Sequence, residues 1–160
     1  MTTSKGLHTS ICFIHHEFCY GAHLNARKGG LIGLAGVAIA LDEKISDYVA
    51  DLMLPMMGCL SDPDSRVRYY ACEALYNVAK VGRGGILPFF NETFDKLCKL
   101  SADSDANVRN GADLLDRLVK DIVLETTAFD VRAFIPLLKE RVYVVNPCAR
   151  QFIVSWIQAL

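Results

Sequence analysis

Aspartate and arginine pairs recur along this chain at a fixed spacing, and they are the residues best suited to do chemistry. Asp62 precedes Arg68 by six residues, and Asp103 precedes Arg109 by six residues. Carboxylates beside cations could act as general acids or bases, but repetition at one offset favours charge-assisted hydrogen bonds between structural repeats. We therefore expect Asp62, Arg68, Asp103 and Arg109 to form a structural ladder.

The arginines of these pairs belong to a longer series. Its members lie 41 residues apart, at Arg27, Arg68, Arg109 and Arg150. An internal repeat near 40 residues is the signature of HEAT and armadillo solenoids. Gly21 and Val144 stand where the first and last arginines would need an aspartate. We expect the ladder to lapse in those terminal repeats.

A cluster of soft metal ligands lies near the N-terminus. It consists of Cys12, His15, His16, Cys19 and His23. Gaps of two or three residues suit zinc, but no second pair completes the set. His16-Glu17 is similar to the iron-binding pairs of the HEAT-repeat enzyme deoxyhypusine hydroxylase, which needs such pairs on several repeats. We expect no metal and no cofactor, and the lack of G-x-S-x-G and Cys-x-x-Cys motifs predicts a non-enzyme.

The elements that position these residues are helices. From Asp64 to Lys80, apolar residues recur at the i, i+3, i+4, i+7 spacing of a single buried helical face. Similar stretches along the chain predict an all-α, HEAT/armadillo-like superhelix of about seven helices in three to four stacked hairpins. We assign this solenoid to residues 24–160. Residues 1–23 lack the repeat and are predicted to be an irregular extension with room for one short helix.

The composition of the chain limits the classes of partner and compartment that we expect for it. The chain has 17 basic and 18 acidic residues, a balance that gives no attraction to nucleic acid. The apolar run from Leu31 to Leu41 is shorter than the roughly 20 residues that a membrane crossing needs. Cysteines in helical stretches, at positions 59, 72, 98 and 148, are expected to be free thiols in the core, which suits a reduced, cytoplasmic compartment.

A protein-binding surface is predicted on the inner helices, on the side opposite their apolar stripe. The proposed residues are Tyr69, Glu73, Tyr76, Asn110, Asp113 and Arg117, flanked by Lys80 and Lys120. Exposed tyrosines among mixed charges are typical of interfaces. The alternative is an ordinary solvated face, on which an occasional tyrosine is common.

With this register in place, the chain resembles a known family. The similarity lies in RKGGLIGLAGVAIAL, DPDSRVRYYACEALYNVAKVGRGGILPFFNETFDKL, LLDRLVKDIV, FIPLLKERVY and ARQFIVSWI. These segments resemble the N-terminal HEAT region of the vacuole-morphology ("vac fourteen") scaffold of the PIKfyve/Fab lipid-kinase complex. The resemblance runs from about Asn25 to Leu160, whereas Met1 to His23 departs from the family's usual start, as in a truncated or alternative form.

The resemblance implies a non-catalytic role. The family assembles a phosphatidylinositol 3-phosphate 5-kinase with a Sac-type phosphoinositide phosphatase, and so supports phosphatidylinositol 3,5-bisphosphate metabolism. It implies peripheral attachment to endosome and vacuole membranes through the complex, and self-association of the full-length member. The alternative from the residues alone is a generic HEAT adaptor of another trafficking pathway.

Overall fold

The computed structural model describes residues 2–127 and 129–160, and these residues form eight α-helices and no strand. The helices are α1 (Thr2–Ile14), α2 (Leu24–Leu41), α3 (Val49–Cys59), α4 (Ser65–Gly82), α5 (Phe90–Leu100), α6 (Ala106–Glu125), α7 (Val131–Arg141) and α8 (Pro147–Ala159). A π-helical turn, His15–Cys19, extends α1, and 3₁₀ turns at Asp42–Asp47 and Arg83–Phe89 lead into α3 and α5.

Polar side chains fix the starts of three inner helices. Asp64 accepts a hydrogen bond from the second amide of α4, Asp105 from the second amide of α6, and Asn146 from the second and third amides of α8. Each cap satisfies an N–H group that the first helical turn leaves without an intrahelical partner. The inner helices therefore begin at equivalent points of the repeat.

The helices are arranged as four successive hairpins, α1–α2, α3–α4, α5–α6 and α7–α8. Within this stack α2 packs on α4 and α4 packs on α6, so that three inner helices lie side by side. Their fully buried residues include Leu31, Leu34 and Ala38 of α2, Val67, Ala71 and Val78 of α4, and Val108, Leu115 and Val119 of α6. The residues that recur at the i, i+3, i+4 spacing are thus the buried ones. The predicted all-α, HEAT-like architecture is confirmed.

The corner that follows an inner helix has the same unusual backbone twice. Asp42 after α2 has φ 46° and ψ −125°, and Arg83 after α4 has φ 42° and ψ −124°. Positive φ is uncommon for a residue with a Cβ. The two positions are 41 residues apart, so this corner is part of the repeat.

The last hairpin is joined to α5 by aromatic rings. Phe134 of α7 lies 4.9 Å from Phe90 and 5.0 Å from Phe94 between ring centroids, both nearly edge-to-face. Trp156 of α8 lies 5.3 Å from the ring of Phe90. Edge-to-face ring pairs at these separations add stability to that gained from burying their apolar area. This cluster holds α8 against the outer helices.

Within residues 1–23 the structure has the short helix for which the sequence left room, α1, and its π-helical turn continues it to Cys19. The burial of one cysteine differs from the sequence expectation. Cys148 is exposed because it lies in the first turn of α8, outside the buried face that starts at Ala149, whereas the thiols of Cys59, Cys72 and Cys98 are buried.

The membrane expectation for α2 also changes. With its 3₁₀ extension, the helical stretch Leu24–Asp47 is long and apolar enough to cross a membrane by length and composition, which the run from Leu31 to Leu41 alone did not indicate. In the structure α2 packs against α4, and Leu31, Leu34 and Ala38 are fully buried. This is the arrangement of an inner helix of a solenoid.

Candidate partner-binding surface

Each arginine of the 41-residue series caps the turn before its own inner helix. The guanidinium donates hydrogen bonds to backbone carbonyl oxygens six, and in three cases also five, residues earlier. The contacts are Arg27 with Gly21 and Ala22 (3.0 and 3.1 Å), Arg68 with Asp62 and Pro63 (2.8 and 3.1 Å), Arg109 with Asp103 and Ser104 (2.6 and 3.1 Å), and Arg150 with Val144 (3.3 and 3.2 Å). The six-residue spacing therefore encodes a contact with the backbone.

The aspartate side chains pair with the arginine of the preceding repeat. Asp103 accepts two hydrogen bonds from Arg68, at 2.8 Å from Nε and 2.9 Å from Nη2. One repeat earlier, Arg27 Nε lies 2.9 Å from Asp62 Oδ2. The hydrogen bonds from Arg68 lower the pKa of Asp103 below its usual value. Both carboxylates therefore lie between repeats, each beside the guanidinium of the preceding repeat.

A groove of about 580 Å³ runs between α4 and α6. Four of the six predicted surface residues line it, namely Tyr69, Glu73, Tyr76 and Asn110. Glu73 and Asn110 are exposed, while the two tyrosines are half-buried against the core. The groove is completed by Cys72, Asn77, Asn107, Gly111 and Leu114. Sequence reasoning missed Leu114, an apolar side chain of this groove that is 56% exposed.

A second groove, about 530 Å³, lies between α6 and α8. The other two predicted residues, Asp113 and Arg117, lie here and form an exposed ion pair at 2.7 Å. Asn110 lines both grooves. The six predicted residues therefore do not form one patch, because the side chains of α6 point to both of its neighbours.

A buried polar cluster under the second groove was not anticipated. Asp116 is 4% exposed and accepts hydrogen bonds from Trp156 Nε1 (2.8 Å) and Lys120 Nζ (2.6 Å). Burial raises the pKa of Asp116. Lys120 also donates to Ser155 Oγ at 2.8 Å and lies over the Trp156 ring, so it is not the exposed residue that the sequence predicted. The sequence signal that could have identified this cluster is an acidic residue next to Leu115, in the apolar stripe of α6.

The N-terminal cysteines and histidines do not converge. Cys12 is exposed, whereas Cys19 is buried with its carbonyl oxygen 3.7 Å from Cys59 Sγ. The ring of His15 contacts those of His16 and Tyr20 in tilted arrangements, with centroids 4.8 and 5.0 Å away. No group of three or more His, Cys, Asp or Glu residues in the described ranges is arranged to hold a metal ion.

Stacked helical hairpins with grooves between their inner helices define an all-α, HEAT-like fold. Residues 25–121 match the family model described as the Vacuolar 14 Fab1-binding region, which is more than half of the chain. The chain therefore belongs to this family, and the resemblance found in the sequence is confirmed.

Curated relatives extend the match to most of the chain. Protein VAC14 homolog of Arabidopsis thaliana is 56% identical over 162 residues, covering 99% of this chain and 22% of the relative. The Schizosaccharomyces pombe homolog is 44% identical over 85% of this chain and 21% of its own length. Vacuole morphology and inheritance protein 14 of Saccharomyces cerevisiae is 39% identical over 90% and 21%.

Two facts follow from these coverages. The chain spans about a fifth of the length of the relatives it matches. The match to the plant relative covers nearly the whole chain, so the similarity is not restricted to residues after Asn25. The two yeast relatives match 85% and 90% of the chain and the family model begins at residue 25, so the departure expected at Met1 to His23 stays a prediction.

Proposed function

We propose that this chain is part of a non-catalytic scaffold and binds a Fab1/PIKfyve-type phosphatidylinositol 3-phosphate 5-kinase through the groove between α4 and α6. One observation favours this groove over the α6–α8 groove. The matched Fab1-binding region, residues 25–121, contains every residue that lines the α4–α6 groove. The α6–α8 groove takes Cys148, Gln151, Phe152 and Ser155 from outside that region.

The chemistry of the α4–α6 groove suits a protein partner. Tyr69 and Tyr76 offer large aromatic surfaces that already pack on the core, so ordering them on binding costs little entropy. Leu114 adds an exposed apolar side chain to the same groove. Glu73 is the one charged residue among those lining the groove, which leaves the centre poor in charge, as interface centres are.

The wider role that we propose concerns the whole assembly. The scaffold would hold the kinase and a Sac-type phosphoinositide phosphatase together, and would support phosphatidylinositol 3,5-bisphosphate metabolism on endosome and vacuole membranes. The chain would reach those membranes peripherally, through its partners. Self-association would belong to the longer family members, since this chain spans about a fifth of them.

The test is a charge placed in the groove. Leu114→Glu should weaken binding of residues 1–160 to a purified Fab1-type kinase at least about tenfold, because a carboxylate would be desolvated at the contact. The matched control is Leu124→Glu, which alters a leucine of the same helix with nearly the same exposure (58% against 56%) but outside the groove and the matched region. Biolayer interferometry measures both affinities.

A second pair of variants tests the aromatic contribution. Tyr69→Ala with Tyr76→Ala should lower kinase affinity while helical content, measured by circular dichroism, stays unchanged; Tyr143→Ala, at an 85% exposed tyrosine, is the control. Wild-type affinity in both groove variants would show that the kinase binds elsewhere. Equal loss with Leu124→Glu would mean that added charge, and not the groove, is responsible.

A further inference from the structure

Arg109 has a free hydrogen-bonding edge that its two predecessors use. Its Nη1 binds the carbonyl oxygens of Asp103 and Ser104, so its guanidinium is anchored in the same way as those of Arg27 and Arg68. In Arg68 the remaining edge, Nε and Nη2, holds a carboxylate. Within the described residues, the same edge of Arg109 makes no hydrogen bond and no ion pair.

The reason lies 35 residues further along the chain. Arg27 pairs with Asp62 and Arg68 with Asp103, so the partner of Arg109 would be residue 144. A second contact also identifies position 144 as the equivalent of Asp62. Arg150 donates to the carbonyl oxygen of residue 144, and Arg68 donates to the carbonyl oxygen of Asp62. The residue there is Val144, which has no side-chain acceptor.

The charges around Arg109 leave one cation unpaired. The α6–α8 groove is lined by three cations, Arg109, Arg117 and Lys120, and by two acids, Asp113 and Asp116. Arg117 is paired with Asp113 at 2.7 Å, and Lys120 with Asp116 at 2.6 Å. The lining therefore has one more cation than acids, and among the described residues Arg109 is its cation without an ion pair. The nearby carboxylate of Asp103 feels the charge of Arg109 but is bound by Arg68.

We propose that Arg109 is a carboxylate-binding site, and that the α6–α8 groove takes a partner segment bearing an aspartate or glutamate side chain. A guanidinium edge binds a planar carboxylate through two parallel hydrogen bonds, and this molecule already makes that contact at Arg68. A single uncompensated charge matches a monoanion better than a phosphate group with nearly two negative charges. This site is separate from the proposed kinase groove and does not depend on it.

The experiment uses capped tripeptides whose central residue is either aspartate, which carries the carboxylate, or asparagine, which does not. Acetyl-Ala-Asp-Ala-amide is titrated into ¹⁵N-labelled residues 1–160 while the arginine Nε–H resonances are followed by NMR. The Arg109 resonance should shift saturably, whereas that of Arg117, already paired in the same groove, should stay in place. Acetyl-Ala-Asn-Ala-amide, which has the same shape without the charge, should leave Arg109 unchanged.

Two variants test the register itself. Val144→Asp should supply the missing carboxylate within the chain, shift the Arg109 resonance without peptide, raise Tm by a few degrees, and weaken the aspartyl peptide at least about tenfold. Val144→Asn, uncharged but of similar shape, should retain peptide binding. Arg109→Gln should abolish it in a protein whose helical content is unchanged.

Several results would overturn the proposal. They are equal responses to the aspartyl and asparaginyl peptides, an equal shift of Arg117, and unchanged peptide affinity in Val144→Asp. Inorganic phosphate that shifts Arg109 at a lower concentration than the aspartyl peptide would show that the ligand class is phosphate.

Discussion

The junction between α4 and α6 and the junction between α6 and α8 occupy equivalent places in the repeat but are built differently. At the first, Arg68 and Asp103 pair at the turn, and Gly111 lets the helices approach closely: a Cβ on Gly111 would lie 3.3 Å from that of Cys72. At the second there is no such ion pair. A polar cluster, Asp116 with Lys120 and Trp156, lies between the helices instead.

The register shows a further difference between these two junctions. The residue 41 positions after Gly111 is Phe152, which places a ring in α8 where α6 has no side chain, and Lys120 lies over that ring. The α4–α6 junction thus has both the ion pair at the turn and the small residue in the following helix, and within the described residues the α6–α8 junction has neither. The α2–α4 junction keeps its pair, Arg27 with Asp62, although Tyr70 stands at the position equivalent to Gly111. Aromatic rings join the last hairpin to α5, whereas Arg–Asp pairs link the first three hairpins.

The largest effect is expected from Trp156→Ala. It removes a fully buried indole from the α5–α7–α8 cluster and leaves Asp116 without one of its two donors, so the free energy of unfolding should fall by about 3–5 kcal/mol. Hydrogen exchange should show protection lost in α7 and α8 while α4 and α6 keep theirs. A uniform loss across all helices would contradict the separation of the two junctions.

A smaller effect is expected from Asp103→Ala. The side chains of Arg68 and Asp103 are 15% and 8% exposed, so removing the carboxylate leaves a largely buried guanidinium unpaired and should cost about 3 kcal/mol in urea unfolding. The control is Arg117→Ala, which breaks a pair whose side chains are 71% and 55% exposed and should cost less than about 1 kcal/mol. Equal costs would remove the distinction between the inter-repeat pair and a surface pair.

The smallest effect is a difference in acid sensitivity. The pKa of Asp103 is lowered by Arg68, so its contribution to stability is complete above the unfolded pKa of about 3.9 and is lost as the pH falls through the folded pKa. Burial raises the pKa of Asp116, so its contribution has the opposite sign: stability falls as the pH rises from about 3.9 to the folded pKa. Urea midpoints between about pH 2 and pH 7 report both terms.

The variants separate these two carboxylates. Relative to the wild type, Asp103→Asn should lose less stability on acidification, and Asp116→Asn should lose more. The same slope in both variants would mean that the two junctions do not differ in their electrostatics.

Local patterns made much of this fold predictable, whereas contacts between repeats were harder to predict. The apolar spacing from Asp64 to Lys80 identified the buried face of α4, and the arginine series identified equivalent positions. The partner of each arginine could not be derived, because the nearer aspartate in sequence offers its carbonyl while the carboxylate comes from the next turn.

The candidate site was predictable only in part for a related reason. Helical spacing placed Tyr69, Glu73, Tyr76 and Asn110 on the open side of the helices, where the groove lies. It could not assign Asp113 and Arg117 to a different groove, because that depends on which neighbour each side of α6 faces. Asp116 was missed because an acid in an apolar stripe is stable only with donors, one of which comes from Trp156, 40 residues away.

The inter-repeat ion pairs also determine which changes in chain length the architecture can accept. Excision of residues 62–102, a single period of 41, would join Ser61 directly to Asp103 and present that carboxylate to Arg27 in place of Asp62. Any excision that is not a whole period would put every later turn out of phase with the arginine before it. Such a scaffold can therefore change length by gaining or losing whole hairpins, because the ion pairs between repeats are then kept.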